Sequence, residues 1–131
     1  MASIFTKIIE REIPAHIVAE DDNYLAFLDI NPLVEGHTLV IPKKEVDYIF
    51  DLDDDTLAGL HLFAKKVAAG IEEVIDCERI GVTVMGLEVP HAHVHLIPMQ
   101  TMDDMNFANM KLSPSKEEMA ETAKKISKAI K

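Results

Sequence analysis

In 131 residues the sequence has no tryptophan, one cysteine, five glycines and six prolines, and each scarcity closes a class of protein. The single Cys77 cannot form an intrachain disulfide, so no disulfide framework holds this chain together. Glycine and proline are too sparse for a fibrous or low-complexity chain, and an apolar fraction of 48% describes an ordinary globular domain. No apolar run approaches the roughly 18 residues of a membrane span, and the N-terminus lacks the basic and apolar regions of a signal peptide. A cytoplasmic protein without a membrane partner is therefore expected. Basic charge is short as well: 13 Lys and Arg stand against 23 Asp and Glu, for a formal net charge of −10. Acidic clusters at residues 20–22, 51–55 and 103–104 repel a nucleic-acid backbone, and no basic stripe interleaved with aromatics offsets them, so nucleic acid is not an expected partner. A small phosphorylated metabolite stays compatible, because a pocket can hold local donors that net charge conceals.

What the chain does have is histidine in one place. Three of its six histidines fall in His91-Ala92-His93-Val94-His95-Leu96-Ile97, at strict alternation after Pro90. On an extended strand alternate residues share a face roughly 7 Å apart, so His91, His93 and His95 form a row while Ala92, Val94 and Leu96 face a core. Imidazole serves near neutral pH as nucleophile, general acid or base, or metal ligand. Two chemistries compete on these residues: chelation of a metal by the three rings, or attack by one histidine that its neighbours orient and assist.

The length fits one domain, residues 1–131. Apolar residues at 4, 5, 8 and 9 predict a short N-terminal helix ending before Pro14. Strands follow at 17–19 and 24–29, separated by the polar turn Glu20-Asp21-Asp22-Asn23, and His37 begins another that Pro42 closes. His16, in the turn after Pro14, reads as exposed and structural. Asp53 or Asp55 can cap a major helix over 56–75, whose Gly59 and Gly70 lower its propensity and leave room for another element or subunit to approach. Residues 79–85 form a strand candidate that Gly86 connects tightly to the histidine strand, and the two are expected to pair antiparallel. The Met-rich stretch 99–112 is irregular, its methionines read as filling core gaps. Ser113 as cap and Pro114 as first residue start a C-terminal helix over 114–130. Meander strands with flanking helices indicate an α+β fold.

The alternating histidines with apolar residues between and after them resemble the signature of the histidine triad (HIT) superfamily. The likeness extends to Ile4-Phe5-Thr6-Lys7-Ile8-Ile9, Phe27-Leu28-Asp29-Ile30-Asn31-Pro32 and Gly36-His37-Thr38-Leu39-Val40-Ile41-Pro42-Lys43-Lys44, in the order of the Hint or bacterial HIT branch. It implies an antiparallel sheet of about five strands with a main helix, a short N-terminal helix and a C-terminal helix. It also implies a homodimer, here through the 56–75 helix, acting on purine nucleoside phosphoramidates or related nucleotides. By the resemblance His93 is the nucleophile at the α-phosphorus, forming a nucleotidyl-histidine that water resolves. His95 binds the phosphate, His91 assists the leaving group or orients the site, and His37 completes the histidine network. The base would lie against Ile4, Phe5, Phe27 and Ile30, and Asp29 would hold the ribose.

Two departures from the family pattern carry expectations of their own. Many bacterial members bind a structural zinc through an N-terminal Cys-X-X-Cys, a histidine after Pro-Lys-Lys and the first triad histidine. Here Ser3, Thr6 and Glu45 stand at three of those positions, and hydroxyls are poor zinc ligands, so neither a structural zinc nor another cofactor is expected. The second departure is the short loop Val84-Met85-Gly86-Leu87-Glu88-Val89-Pro90, with Leu87 where the family has Gln and Glu88 bringing negative charge toward a phosphate. It keeps open a nucleotide-binding module without turnover, and the alternating histidines themselves keep open a metal-dependent enzyme using His91, His93 and His95.

Overall fold

The computed structural model describes residues 2–130. The chain runs α1 (Ile4–Ile9), β1 (Ile17–Glu20), β2 (Tyr24–Leu28), β3 (Thr38–Pro42), α2 (Asp54–Val74), β4 (Arg79–Thr83), β5 (Val94–Met99) and α3 (Lys116–Ala129), with 3₁₀ turns at Ile49–Asp51 and Met102–Met105. The five strands form one antiparallel sheet in the order β1-β2-β3-β5-β4, which is the expected α+β architecture. No described helix is long and apolar enough to cross a membrane.

Alternation along the strands separates two cores. Ala26, Leu28, Val40, Val94 and Leu96 point to the face covered by α2 and α3, where they meet Leu60, Val67, Ile71, Met119 and Ile126. Leu25, Phe27, Leu39 and Ile41 point the other way and pack under Phe5 and Ile8 of α1. Every residue of β2 and β3 is buried because both faces of the central sheet are covered. Two glycines in α2 permit this packing. A β-carbon at Gly59 would fall on the Tyr24 hydroxyl, which donates to the Thr56 carbonyl at 3.0 Å, and one at Gly70 would meet Ile130 just beyond α3. The neighbours that the two glycines admit thus lie within the domain.

Asp53 caps α2 by accepting from the Thr56 N–H, as one of the two expected caps. The ends of β1, β2, β3 and α2 shift from expectation by one or two residues, and three further differences have a structural cause. Strand β4 ends at Thr83, and a ten-residue stretch, 84–93, replaces a tight connection at Gly86. The histidine strand begins at Val94 rather than His91, so only His95 of the three lies in the ladder, opposite Leu39 and Thr83. The cause is a substitution of partners: the Ala92 N–H donates to the Val46 carbonyl, and the Pro42 carbonyl takes the His91 ring instead of a strand amide. Finally, α3 starts two residues late because Ser115 and Glu118 form a reciprocal capping box, satisfying two orphan donors where Ser113 and Pro114 offer one cap. The Met-rich stretch divides: Met99 and Met105 pack against Gly81, whereas Met102 and Met110 are exposed. His16 is half-buried and His61 exposed.

Candidate active site

Three extended segments bring the four predicted histidines together. His95 comes from β5, His37 from the residue before β3, and His91 and His93 from the stretch leading into β5. All four are buried, at 0% exposure for His91, 1% for His37 and 6% for His93 and His95. The His93 and His95 ring centroids lie 5.0 Å apart, and those of His37 and His95 lie 5.2 Å apart.

Backbone partners fix the proton on each ring, because a carbonyl only accepts and an N–H only donates. The His93 Nδ1 is 2.7 Å from the His91 carbonyl oxygen, so Nδ1–H donates there, and of the two neutral tautomers this selects the one with the lone pair on Nε2. The Leu33 N–H donates to His37 Nδ1 at 3.1 Å, which leaves the His37 proton on Nε2. That proton is donated to His95 Nδ1 at 2.9 Å, and the neutral His95 then bears its own proton on Nε2. Neither His93 Nε2 nor His95 Nε2 has a protein partner. No buried side-chain nitrogen or oxygen lacks one among the described residues, so both atoms reach solvent. The site therefore offers a nucleophilic lone pair beside an N–H donor, the pairing that covalent catalysis at an electrophilic centre requires.

Burial keeps this network neutral. Desolvation, aided by the nearby His95 and Lys111 charges, pushes His37 down to about 3. Desolvation pushes His95 down to about 4, and the neighbouring His93 ring adds to it because two adjacent imidazoles cannot both be charged cheaply. His91 is also lowered by burial, with partial compensation from its bond to the Pro42 carbonyl. Asp29 moves the opposite way, its carboxyl raised chiefly by desolvation. One Asp29 oxygen accepts from the Asn31 N–H at 2.9 Å, making the turn after β2, and the other lies 3.6 Å from His37 Nε2.

The remaining predicted residues divide by exposure. Phe5 is buried and meets Phe27 and His93 edge-on, at 5.4 and 5.0 Å between centroids. Phe27, at 3% exposure, is core beneath Phe5 rather than surface. Ile4 and Ile30 are 49% and 74% exposed, leaving apolar surface open to solvent on α1 and in the loop after Asp29. A cavity of about 200 Å³ opens beside Asp29 and His37 against Leu112, Glu118 and Met119, but its lining includes neither His93 nor His95.

Two residues that sequence reasoning missed come from the stretch before α3. Phe107 packs edge-on to His95 at 5.0 Å and to His37 at 6.1 Å. Lys111 donates to the Phe107 and Asn109 carbonyls, at 2.5 and 3.1 Å, and its charge bears on both Asp29 and His37. Their only sequence signal was an aromatic and a cation in an irregular segment without periodicity.

Neither possible metal cluster suits a tetrahedral zinc. His91 spends both ring nitrogens, Nε2 on the Pro42 carbonyl at 2.8 Å and Nδ1 on the Ser3 hydroxyl at 2.9 Å, so it keeps no free nitrogen for a metal shared with His93 and His95. The group whose donor atoms lie within 4.8 Å of one another is Asp29, His37 and His95. There the two imidazoles are joined directly at 2.9 Å, closer than the roughly 3.3 Å that a tetrahedral ion bound at about 2.05 Å would set. At the positions where the resemblance places zinc ligands, Ser3, Thr6 and Glu45 bond to one another and to His91, two of the four donors being neutral hydroxyls.

A sheet carrying a lone-pair imidazole, a neighbouring imidazole donor and a third histidine that orients the donor defines a class of histidine-centred sites. The HIT domain family matches residues 10–102, and the chain belongs to that family. An uncharacterized HIT-like protein of Borreliella burgdorferi is 37% identical over 135 residues, covering 97% of both chains. A protein of Saccharomyces cerevisiae named adenosine 5′-monophosphoramidase is 38% identical over 98 residues, covering 74% of this chain and 62% of its own. The crystal structure of a Zn-bound histidine triad family protein from Mycobacterium smegmatis superposes with a TM-score of 0.85 at 27% identity, over 99% of this chain and 94% of that one.

Proposed function

We propose that this protein hydrolyses a purine nucleoside phosphoramidate or related nucleotide at its α-phosphate, with His93 as nucleophile. The observation that carries the reading is the hydrogen bond from His93 Nδ1 to the His91 carbonyl, which selects the tautomer whose solvent-reaching Nε2 carries the lone pair. In the proposed reaction Nε2 forms a bond to the α-phosphorus while the bond to the leaving amine breaks, and the amine departs after taking a proton. The His91 carbonyl stabilises the positive charge that develops on the ring. Water then attacks the phosphorus and the N–P bond breaks, restoring neutral His93. His95 Nε2–H faces the phosphoryl oxygens, and His37 holds His95 in that tautomer. Complete burial and two occupied nitrogens suit His91 to orienting the site rather than to meeting a leaving group. Asp29 is assigned to the ribose, with Ile4 and Ile30 as the exposed apolar surfaces for the base, Phe5 beside the nucleophile and Phe27 supporting it from the core. The similarity to the yeast phosphoramidase supports the same chemistry.

A homodimer belongs to this reading. Strand β4 is a sheet edge with Val82 55% exposed, and Leu62 on α2 is 68% exposed, so an unpaired edge and an apolar helix position are both available to a second copy.

The test is hydrolysis of adenosine 5′-phosphoramidate by the purified protein, with His93→Ala and with EDTA as parallel samples. Turnover that survives EDTA and vanishes in His93→Ala, with AMP affinity retained, is expected. Equal turnover in the variant removes His93 from the role. AMP binding without turnover by the wild type would instead favour a binding module, a reading to which the exposed Leu87 and Glu88 before the triad give some weight.

A further inference from the structure

The polar cluster at the N-terminus of α1 joins three segments remote in sequence. The Ser3 N–H and the Thr6 hydroxyl both donate to Glu45 Oε1, at 2.6 and 2.5 Å. The Ser3 hydroxyl oxygen accepts from the Thr6 N–H at 3.0 Å as the cap of α1. His91 Nε2–H must donate to the Pro42 carbonyl, so its Nδ1 carries a lone pair, and the Ser3 hydroxyl proton points to that atom at 2.9 Å. Longer contacts cross the same cluster, Ser3 Oγ to Thr6 Oγ1 at 3.3 Å and Thr6 Oγ1 to His91 Nδ1 at 3.5 Å, but the shortest set has Thr6 donating to Glu45 and Ser3 donating to His91. Ser3 is buried at 5% exposure and the His91 ring at 0%, so His91 Nδ1 is shielded from water and depends on the Ser3 hydroxyl, with the Thr6 hydroxyl more distant at 3.5 Å.

We infer that Ser3, Thr6 and Glu45 act as a positioning clip for the nucleophile, a hydrogen-bonded fastening at the positions where the resemblance would put zinc ligands. The inference deepens the proposed reaction and rests on it where activity is concerned. Two routes lead from the clip to His93. Through the chain, a His91 ring held at both nitrogens fixes its own backbone, and the His91 carbonyl is what places the His93 proton on Nδ1. Through the helix, the Ser3 cap fixes the first turn of α1, and Phe5 in that turn packs edge-on to His91 and His93, at 5.9 and 5.0 Å. Glu45 is exposed, and its carboxyl is held down to about 2, first by the Ser3 N–H and then by the Thr6 hydroxyl. It is therefore an ionised acceptor for both at any working pH.

With Ser3 truncated, His91 Nδ1 is left with only the Thr6 hydroxyl at 3.5 Å, whose proton Glu45 already holds at 2.5 Å, and the ring regains its second tautomer only by giving up the Pro42 carbonyl. The His91 carbonyl is then less well placed, and His93 admits the Nε2–H tautomer, which has no lone pair facing substrate. A role of this kind reduces kcat more than nucleotide affinity, because a nucleophile misplaced by a fraction of an ångström loses rate while the base and ribose contacts persist.

Ser3→Ala, and the isosteric Thr6→Val with Thr6→Ser as its rescue, test the clip by two independent readouts. In adenosine 5′-phosphoramidate hydrolysis, kcat is expected to fall about ten- to a hundredfold in Ser3→Ala, with AMP affinity changed less than about twofold. Thr6→Val is expected to show the same pattern more weakly, and Thr6→Ser to restore it. In ¹⁵N spectra of the histidine rings, the Nδ1–H form of His93 is expected to dominate in the wild type and to mix with the Nε2–H form in Ser3→Ala. Wild-type kcat in folded Ser3→Ala overturns the proposal, as does a loss of kcat with the His93 tautomer unchanged, which would make the clip a structural fastening only. If Ser3→Ala does not fold, the Thr6→Val and Thr6→Ser pair decides by the same readouts. If the wild type turns over no nucleotide, the proposed function falls, and the ring spectra still decide whether the clip sets the His93 tautomer.

Discussion

Acidification tests the neutral histidine network without altering a single contact. His37 and His95 are almost fully buried, and burial first of all depresses both, from 6.5 in the unfolded chain to about 3 and about 4 in the folded one. Between the folded and unfolded values the unfolded chain takes up a proton that the folded chain refuses, so stability falls as pH falls. The contribution is complete above about pH 7 and disappears as pH drops through 6.5 toward 4 and 3. From pH 7 to pH 5 a histidine that stays neutral when folded loses about 2 kcal/mol by linkage, and the pair about 4 kcal/mol. His91, also depressed by burial, acts in the same direction, and so does Glu45 at lower pH. Asp29, raised by burial, opposes them near its own titration. Urea unfolding followed at pH 7 and pH 5 reads the difference. His37→Asn keeps an acceptor for the Leu33 N–H and removes one titration, so it is expected to be less stable at pH 7 by about 1–3 kcal/mol and to lose only about 2 kcal/mol on acidification. A wild-type protein equally stable within about 1 kcal/mol at both pH values would refute the claim that burial holds these rings neutral.

The remaining predictions concern the ribose and the assembly. If Asp29 holds the ribose hydroxyls, Asp29→Ala weakens AMP binding about tenfold in calorimetry, the order of one charge-assisted hydrogen bond, and costs the fold the turn contact to Asn31 and the longer approach to His37. Unchanged affinity would remove Asp29 from the site. Pairing through α2 and the β4 edge predicts about twice the 14.6 kDa chain mass in light scattering, and a monomer at working concentration would contradict it.

What could be read from the sequence was what side-chain pattern alone determines. The strands were legible because their apolar residues run continuously between turn formers, and α2 because an Asp53 cap agrees with apolar residues at 57, 60, 64, 67, 71 and 74, the 3.6-residue period of a helix. The histidine cluster was legible as a cluster, and His37 joined it only through the family resemblance, since a lone histidine at a strand start carries no signal of its own. The misreading of the triad as one continuous strand has a definite origin: alternation predicts side-chain direction, but whether a residue belongs to a ladder depends on which groups take its neighbours' carbonyls. At Pro42 a side chain takes the carbonyl, and the ladder stops at Val94. The same main-chain dependence reaches the chemistry. Whether His93 offers a lone pair or a proton at Nε2 is set by the His91 carbonyl, and whether His95 offers a proton is set, through His37, by the Leu33 N–H. None of these determinants is a side-chain identity, so a sequence can place imidazoles in a row without stating which of them is the base. The resemblance pointed to His93, and the backbone around it supplies a physical reason for that choice.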